Sequence, residues 1–403
     1  MVPDPLLRFT LPEGRHATLR LGEASTVLAV DGELVSSWDL SGRPYVLVRG
    51  SGTYRRGLDG WLLLKREATA EAPRVRRRLS ASEGAPILEA ARSEAVAALR
   101  SLLAGRPDAG PEAAARDRLR TIAAMDVPAL AGDASRFVEV CGRVGILPPD
   151  QYLSLVVRLT EGCSWNACSF CSLYRDVPFR CKPPRELARH VAALRAYFGP
   201  SIVLRRSLFL GDANALCLSQ RRLVPLLETV AGAFAGLPLF SFVDAWTGRR
   251  KRPRDWRECA ALGLRRVYVG LETGDPGLLA WLGKPGRPLD AVELVGALHE
   301  GGVAAAVIVL LGAGGERFDE AHVARTAEAL SAMGLTADDL LYFSEYVDDP
   351  SLAYGRRAAG AADLQPLPPR RARAQRDAIT RALRHRNGAP PRVASYDIRE
   401  FVY

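Results

Sequence analysis

Hydrophobic and polar positions alternate along the first 66 residues of the chain. The alternating runs are short and are separated by turn-forming groups such as Val30-Asp31-Gly32-Glu33 and Gly50-Ser51-Gly52. A period of two residues is typical of strands that bury one face, and such turns favour hairpins. The pattern therefore predicts a β-rich N-terminal domain over residues 1–66, with strands at residues 26–30, 33–38, 45–48 and 61–65.

The pattern changes to a helical one over residues 67–149, which are rich in Ala, Arg, Glu and Leu. Apolar residues recur at helical spacing over residues 82–103, and a second helical pattern covers residues 111–124. These patterns predict a helical linker region. Pro148-Pro149-Asp150 marks its end, because two adjacent prolines interrupt regular structure.

From residue 150 onward, short apolar runs alternate with helical patterns. The predicted strands cover residues 153–159, 202–210, 237–243, 266–271, 304–311 and 340–346. The predicted helices between them cover residues 185–197, 221–235, 253–262, 289–299 and 319–333. Repeated βα units with short links imply parallel strands and right-handed crossovers. The sequence therefore predicts an α/β core over residues 150–350 that forms a partial (βα)6 TIM-type barrel.

The C-terminal part, residues 351–403, contains a helical pattern over residues 370–385 and an apolar-polar tail over residues 393–403. We expect this helix and tail to pack on the barrel, because an unpaired sheet edge promotes unwanted association.

The amino-acid composition indicates the general class of protein. The 403 residues are 48% hydrophobic and 25% charged, which is ordinary for a globular protein. The formal charge is +10, with four lysines (Lys65, Lys182, Lys251 and Lys284) and 51 arginines. We interpret the basic runs as solvated faces. No window approaches the ~18 apolar residues of a membrane span, and no export signal is visible. A soluble cytoplasmic protein is expected, and seven cysteines without an export signal fit a reducing compartment.

Three of these cysteines, Cys163, Cys168 and Cys171, lie within nine positions directly after an apolar run. Three interpretations are open. A structural zinc site would need a fourth ligand, which Cys181 could supply. An iron–sulfur cluster held by three thiolates would leave one iron open to a cofactor or substrate. Three unligated core cysteines are the third possibility, but apolar burial does not explain thiols in a Gly-Cys-Ser-Trp-Asn loop.

The Cys-x4-Cys-x2-Cys loop resembles the cluster-binding loop of the radical S-adenosylmethionine (radical SAM) superfamily. That loop usually has the spacing Cys-x3-Cys-x2-Cys, with an aromatic residue before the last cysteine. Phe170 occupies the aromatic position, and this chain has one extra residue between Cys163 and Cys168. The resemblance is closest to the elongator-type and coproporphyrinogen-oxidase-like branch.

Three later segments resemble further elements of the same superfamily. The segment Leu-Gly211-Asp212-Ala-Asn is similar to the second-strand motif, whose backbone and polar side chains meet the methionyl amine. The segment Gly-Leu-Glu272-Thr-Gly is similar to the fourth-strand motif, whose carboxylate reaches the ribose hydroxyls. The segment around Gly312 is similar to the fifth-strand motif, whose backbone packs along the adenine. The resemblance thus implies cofactor contacts for Phe170, Gly211, Asp212, Glu272 and Gly312.

The function implied by this resemblance is that of a radical SAM enzyme. A 4Fe-4S cluster on Cys163, Cys168 and Cys171 would receive an electron from a low-potential donor and cleave S-adenosylmethionine reductively. The resulting 5′-deoxyadenosyl radical would abstract hydrogen from a small-molecule or peptide substrate that the sequence does not identify. Two alternatives remain at this point: a radical SAM enzyme that modifies RNA, and a non-catalytic zinc module that uses the same three cysteines with Cys181.

A substrate other than nucleic acid is favoured by the distribution of charge and aromatic residues. Acidic residues are mixed among the arginines of residues 1–66. That region also shows none of the aromatic modules with which proteins usually bind RNA. We expect no partner membrane and a substrate small enough to enter the barrel.

Overall fold

The computed structural model describes residues 4–69, 74–104, 110–384 and 389–403. The chain divides into two units. The first unit comprises Met1–Leu153, Ala192–Arg206 and Arg399–Tyr403, and the second comprises Ser154–Val191 and Ser207–Ile398.

The first unit contains an eight-stranded antiparallel sheet in which every strand pairs with its neighbour in sequence. Its strands are β1 Leu6–Thr10, β2 His16–Leu21, β3 Ser25–Val30, β4 Leu34–Asp39, β5 Pro44–Arg49, β6 Gly52–Arg56, β7 Leu62–Arg66 and β8 Val75–Leu79. The four strands predicted from alternation correspond to β3, β4, β5 and β7. The hairpin predicted at Gly50-Ser51-Gly52 joins β5 to β6.

Strand β8 corrects the expectation of a purely helical region after residue 66. Its sequence, Val-Arg-Arg-Arg-Leu, shows no alternation of polar and apolar residues, so periodicity could not reveal it. It forms a strand because it pairs with β7, and its arginines form ion pairs with carboxylates. Arg76 contacts Glu400, and Arg77 lies 2.8 Å from Glu83.

Three helices follow the sheet: α1 Ala81–Ala104, α2 Pro111–Ala123 and α3 Val127–Cys141. Helix α1 buries Ala91, Ala95 and Ala98 in one cluster with Leu19 and Trp38 of the sheet. The spacing of these alanines places them on one face of the helix. The sheet and α1 therefore share one hydrophobic core.

The second unit contains a seven-stranded parallel sheet in the order β17-β16-β15-β14-β13-β12-β9, together with the short antiparallel pair β10–β11. Its strands are β9 Leu155–Arg158, β10 Thr160–Glu161, β11 Arg180–Cys181, β12 Leu208–Gly211, β13 Leu239–Val243, β14 Leu264–Glu272, β15 Ala304–Leu311, β16 Leu340–Glu345 and β17 Arg392–Ser395. The continuous apolar runs are typical of parallel strands buried on both faces. The predicted α/β partial barrel is confirmed, with β17 as a seventh parallel strand at the edge.

The helices associated with these strands are α4 Pro184–Phe198, α5 Gln220–Ala233, α6 Ala245–Gly248, α7 Pro253–Ala261, α8 Pro276–Trp281, α9 Pro288–Glu300, α10 Gly315–Ala332, α11 Ala353–Ala358 and α12 Pro369–Ala382. In the described part of the chain, no helix has the length and apolar character needed to cross a membrane.

Two local expectations need correction. The strand predicted over residues 202–210 begins only at Leu208, because Gly199–Leu204 forms a 3-10 helix with Pro200 in its first turn, where proline is favoured. The helix predicted over residues 370–385 is α12, which ends at Ala382, while residue 385 lies outside the described residues. The tail contributes β17 through its pairing with β16, and Arg399–Tyr403 belongs to the first unit.

Candidate active site

The three clustered cysteines lie on one loop between β10 and β11, close after the end of β9. The antiparallel pairing of Thr160 with Cys181 closes the base of this loop. Cys163, Cys168 and Cys171 are all half-buried and form no disulfide. The fold therefore places three free thiols at the carboxyl end of a parallel strand, where α/β proteins carry their ligand sites.

The three thiols lie close enough to influence one another electrostatically. Burial raises the pKa of Cys168 to about 12, and the charges of Cys171 and Cys163 add to this increase. Burial also raises the pKa of Cys171, again with a contribution from Cys163. Among the described residues, no three ligand side chains already form a metal-binding group. Coordination would have to deprotonate these thiols, as metal binding to cysteine does in general.

Backbone and side-chain contacts from several other segments hold the loop. The Gly162 N–H donates to Asp212 Oδ2 at 2.9 Å, and Asn214 Nδ2 donates to Ser164 Oγ at 2.8 Å. A Cβ on Gly162, whose φ is +74°, would lie 2.5 Å from a backbone oxygen of Val177, so only glycine fits there.

The far side of the loop is held by the segment after α8. The Ser169 N–H donates to the Leu282 carbonyl at 2.8 Å, and Trp165 Nε1 donates to the Gly283 carbonyl at 2.8 Å. The Tyr354 N–H donates to the Ser169 carbonyl at 3.0 Å. The conformation of the loop is thus fixed by contacts distant in sequence.

Asp212 follows β12 and is almost entirely buried. Arg158 donates to both of its oxygens, from Nε to Oδ1 at 2.9 Å and from Nη2 to Oδ2 at 2.5 Å. Because Gly162 also donates to Oδ2, the protein supplies donors to both oxygens of this carboxylate, and two of them to Oδ2. Asp212 thus lies beside the cysteine loop and braces it, and its predicted contact with the cofactor stays a prediction.

Asn214, two residues later, connects three further groups. Its amide nitrogen donates to Asp244 and, at 3.1 Å, to Thr247 Oγ1, in addition to Ser164. The end of β12 is thereby joined to the end of β13 and to the cysteine loop.

Glu272 ends β14 and is 8% exposed. Its φ of +61° is uncommon for a residue with a side chain, and such backbone strain is found preferentially at functional sites. Lys284 Nζ donates to Glu272 Oε1 at 2.7 Å. A Cβ on Gly270 would lie 2.4 Å from that oxygen and 2.6 Å from the Lys284 nitrogen. The glycine therefore makes room for a buried ion pair.

Helix α10 supports the loop that follows Glu272. His322 Nδ1 lies 2.9 Å from Thr273 Oγ1, and the Gly274 N–H donates to Thr326 Oγ1 at 2.8 Å. Burial lowers the pKa of His322 to about 4, so this imidazole is neutral at physiological pH. The position of Glu272 thus depends on a neutral histidine behind it.

Gly312, predicted to lie along the adenine, follows β15. Its N–H donates to Gln375 Oε1 at 2.8 Å, and its carbonyl accepts from the Leu367 N–H at 2.9 Å. The Gly314 N–H donates to Tyr354 Oη at 2.7 Å. The C-terminal segment therefore occupies the polar backbone groups of Gly312, so any contact of this residue with a cofactor would be apolar.

Phe170 is half-buried and packs against an apolar cluster formed by Leu278, Leu282, Leu310 and Tyr354, among others. Its ring anchors the cysteine loop to the segments that follow β14 and β15.

Cys181 is separated electrostatically from the other thiols. Burial raises its pKa and Arg222 opposes this increase, while its Sγ donates to the Lys182 carbonyl at 3.5 Å. Cys217 is nearer to the loop, since Ser164 and Cys163 both affect its pKa, which burial raises to about 11. The zinc interpretation requires Cys181 as the fourth ligand, but Cys217 is the thiol that lies nearer to the loop.

Sequence reasoning missed three residues of this site: Arg158, Lys284 and Tyr354. Arg158 and Tyr354 act through contacts with residues distant in sequence, which no local pattern reveals. Lys284 did leave a signal, because it is one of four lysines in a chain with 51 arginines. Three of these four lysines, Lys182, Lys251 and Lys284, have largely buried side chains.

Residues 157–328 match the model of the Radical SAM superfamily. Residues 157–328 therefore form a radical SAM domain. This match confirms the predicted resemblance and identifies residues 157–328 as an enzyme domain whose cofactors in this superfamily are S-adenosylmethionine and a 4Fe-4S cluster. No curated protein matches the chain.

Several solved radical SAM structures resemble the chain remotely. The methyltransferase TsrM from Kitasatospora setae is 20% identical, with 53% of this chain and 44% of that chain covered and a TM-score of 0.40. Coproporphyrinogen III oxidase (HemN) from Escherichia coli is 17% identical, with 61% and 55% covered and a TM-score of 0.42. Methylornithine synthase (PylB) is 15% identical, with 71% and 72% covered and a TM-score of 0.40. The chain thus spans about half the length of the first two proteins.

The residues of this radical SAM site suit both cofactors. Three thiols on one loop suit a cluster that leaves one iron open, whereas a closed zinc site needs a fourth protein ligand. Glu272 leaves its second carboxylate oxygen uncommitted among the described contacts, and a hydroxyl-bearing ligand requires such an acceptor.

Proposed function

We propose that this radical SAM enzyme holds its 4Fe-4S cluster on Cys163, Cys168 and Cys171 and abstracts hydrogen from a small-molecule or peptide substrate. The observation that carries the proposal is the arrangement of three thiols on one loop that the ends of β12, β14 and β15 brace. When bound, the cluster and S-adenosylmethionine supply one-electron reductive cleavage of a carbon–sulfur bond and, through it, hydrogen abstraction. The electron comes from a low-potential donor.

The chain's own residues bind and orient the cofactors. Glu272 Oε2 accepts from a ribose hydroxyl while Lys284 holds Oε1. The Gly211-Asp212 segment contributes its backbone to the cofactor. The Asp212 side chain, which Arg158 holds, fixes the cysteine loop. Gly312 offers an apolar backbone surface beside the adenine, and Phe170 with its apolar cluster excludes water from the cysteine loop.

Anaerobic reconstitution tests the cluster assignment. We expect about four iron and four sulfide per chain. With dithionite as reductant, we expect cleavage of S-adenosylmethionine to 5′-deoxyadenosine. Alanine at Cys163, Cys168 or Cys171 should abolish both results, and Cys181→Ala should preserve them. One tightly bound zinc without iron or sulfide would contradict the proposal and support the zinc module.

The preference for a substrate other than RNA has structural support in the first unit. Two of its arginines are paired with carboxylates: the half-buried Arg15 with Glu94 at 2.6 Å and the buried Arg43 with Asp133 at 2.8 Å. Such pairing makes these two arginines unavailable to RNA phosphates, on whose neutralisation RNA affinity depends.

Two measurements decide between the substrate classes. A deuterated substrate that transfers its label to 5′-deoxyadenosine would identify the small molecule or peptide. An RNA-modifying enzyme would instead bind RNA with a salt dependence of about 0.7 to 0.9 log units per phosphate contact per decade. RNA-dependent formation of 5′-deoxyadenosine together with that slope would contradict our preference.

A further inference from the structure

Lys284 is a buried cation with an incomplete set of partners. Its side chain is 13% exposed, and its Nζ donates to Glu272 Oε1 at 2.7 Å. An ammonium carries three donors, and among the described residues Glu272 is the one side chain to which Nζ donates. A buried charge is stable only when its surroundings compensate it. The two remaining donors therefore indicate a further anionic neighbour.

The neighbours that would carry such a charge, as thiolates that hold a cluster, are the cysteines of the loop. A Cβ built on Gly283, the residue before Lys284, would lie 3.9 Å from the Cys168 Cα. Burial disfavours the charged form of Lys284, but the Glu272 carboxylate at 2.7 Å and the nearby Cys168 raise the pKa of Lys284 above its ordinary value. The ammonium is therefore protonated at neutral pH, and the backbone that carries it lies against the loop that contains Cys168.

The backbone beside Lys284 keeps this position fixed. The Gly283 carbonyl accepts a hydrogen bond from Trp165 Nε1 at 2.8 Å, and the Leu282 carbonyl accepts one from the Ser169 N–H at 2.8 Å. A Cβ on Gly283 would lie 3.1 Å from the Ala167 carbonyl, so the two segments are in close contact. These contacts hold the backbone that carries Lys284 against the cysteine loop.

We propose that Lys284 is the counter-charge of the cluster and the positioning residue for Glu272. The inference rests on the proposed function and adds a residue to it. One donor of the ammonium holds Glu272 Oε1, which leaves Oε2 for the ribose. The positive charge stabilises the reduced cluster, because an added electron makes the cluster more negative.

This arrangement predicts opposite effects for the two partners. Removing the positive charge in Lys284→Met lowers the midpoint potential of the cluster. Removing the negative charge in Glu272→Gln raises it. Lys284→Arg keeps the charge and therefore the potential. A purely structural role for the ion pair would not give shifts of opposite sign.

The experiment is a redox titration of the anaerobically reconstituted full chain without S-adenosylmethionine, followed by the electron paramagnetic resonance signal of the reduced cluster. Lys182→Met serves as a control, since Lys182 is also buried but pairs with Glu161 and Glu186. We expect a lower potential for Lys284→Met, a higher one for Glu272→Gln, and the wild-type value for Lys182→Met and Lys284→Arg. An unchanged or raised potential in Lys284→Met would overturn the inference.

The outcomes separate this inference from the proposed function. Failure of the wild-type chain to assemble a cluster would overturn both. A wild-type cluster that cleaves S-adenosylmethionine while neither charge change moves the potential would overturn the inference alone. If Lys284→Met assembles no cluster, Glu272→Gln decides, because the inference requires its potential to rise.

Binding of S-adenosylmethionine gives a second readout of the positioning role. We expect Lys284→Met to weaken it by about tenfold, the usual cost of misplacing one charged hydrogen bond, and Lys284→Arg to recover most of the loss. Equal affinities for wild type and Lys284→Met would overturn the positioning role.

Discussion

Asp212 and Glu272 are two buried carboxylates at the ends of β12 and β14, the parallel strands on either side of β13, and each has a cation beside it. They differ in how much of the carboxylate the protein uses. Arg158 donates hydrogen bonds to both oxygens of Asp212, and the Gly162 N–H donates a second hydrogen bond to Oδ2. Lys284 takes one oxygen of Glu272.

This difference separates a structural carboxylate from one available to a ligand. Releasing Asp212 for a cofactor would leave the Arg158 guanidinium buried without its partner, which is costly. Glu272 can accept a hydroxyl without losing Lys284. Both residues were predicted as cofactor ligands from motif position, and the contacts now give them different roles.

The largest expected effect is that of Asp212→Asn on stability. The asparagine nitrogen would face a donor, either Arg158 or the Gly162 N–H. Breaking a buried ion pair by removing one partner costs about 3 to 5 kcal/mol in free energy of unfolding. Chemical denaturation of the apoprotein measures this, with the exposed Asp348→Asn as control. A loss no larger than that of the control would show that the pair does not brace the loop.

The second effect concerns the support behind Glu272. The pKa of His322 is lowered by burial from 6.5 to about 4 in the folded chain. As the pH falls below 6.5, the unfolded chain takes up a proton that the folded chain cannot, so stability decreases until about pH 4. The loss attributable to His322 between about pH 7.5 and 5 should be about 2 kcal/mol.

Replacing His322 by Gln should remove this pH-dependent part of the unfolding free energy. The exposed His16→Gln serves as the control for the loss of one imidazole at the surface. An equal slope of stability with pH in wild type and His322→Gln would contradict the assignment of a neutral buried imidazole.

A smaller effect distinguishes the two carboxylates by affinity. Glu272→Gln should weaken S-adenosylmethionine binding by about 1 to 3 kcal/mol, because a charged acceptor becomes neutral. Cluster content should not change. Equilibrium binding to the reconstituted protein measures this, with the exposed Glu328→Gln as control. Unaltered affinity would remove Glu272 from the cofactor site.

The smallest effect is expected for Cys181→Ala. Its thiol is half-buried and lies at the base of the loop in β11. Iron and sulfide content should equal those of the wild type, whereas Cys217→Ala tests the thiol nearer to Ser164. Loss of metal in Cys181→Ala would show that a fourth protein ligand closes the site.

The sequence was informative wherever a regular pattern reflects burial. Alternation identified β3 and β4, and the βα periodicity identified the parallel core with the cysteine loop after β9. The pattern did not identify β8, because its three consecutive arginines leave no alternation of polar and apolar residues. It also could not show that Gln375 and Leu367 would occupy the backbone of Gly312, because such contacts join residues more than fifty positions apart.

The most direct test is the electron paramagnetic resonance spectrum of the reduced, reconstituted protein before and after addition of S-adenosylmethionine. If Cys163, Cys168 and Cys171 leave one iron open beside Glu272, the cofactor changes the spectrum of the wild type. The same change should require a higher cofactor concentration in Glu272→Gln. A spectrum that S-adenosylmethionine leaves unchanged, from a cluster with full iron and sulfide content, would contradict the assignment.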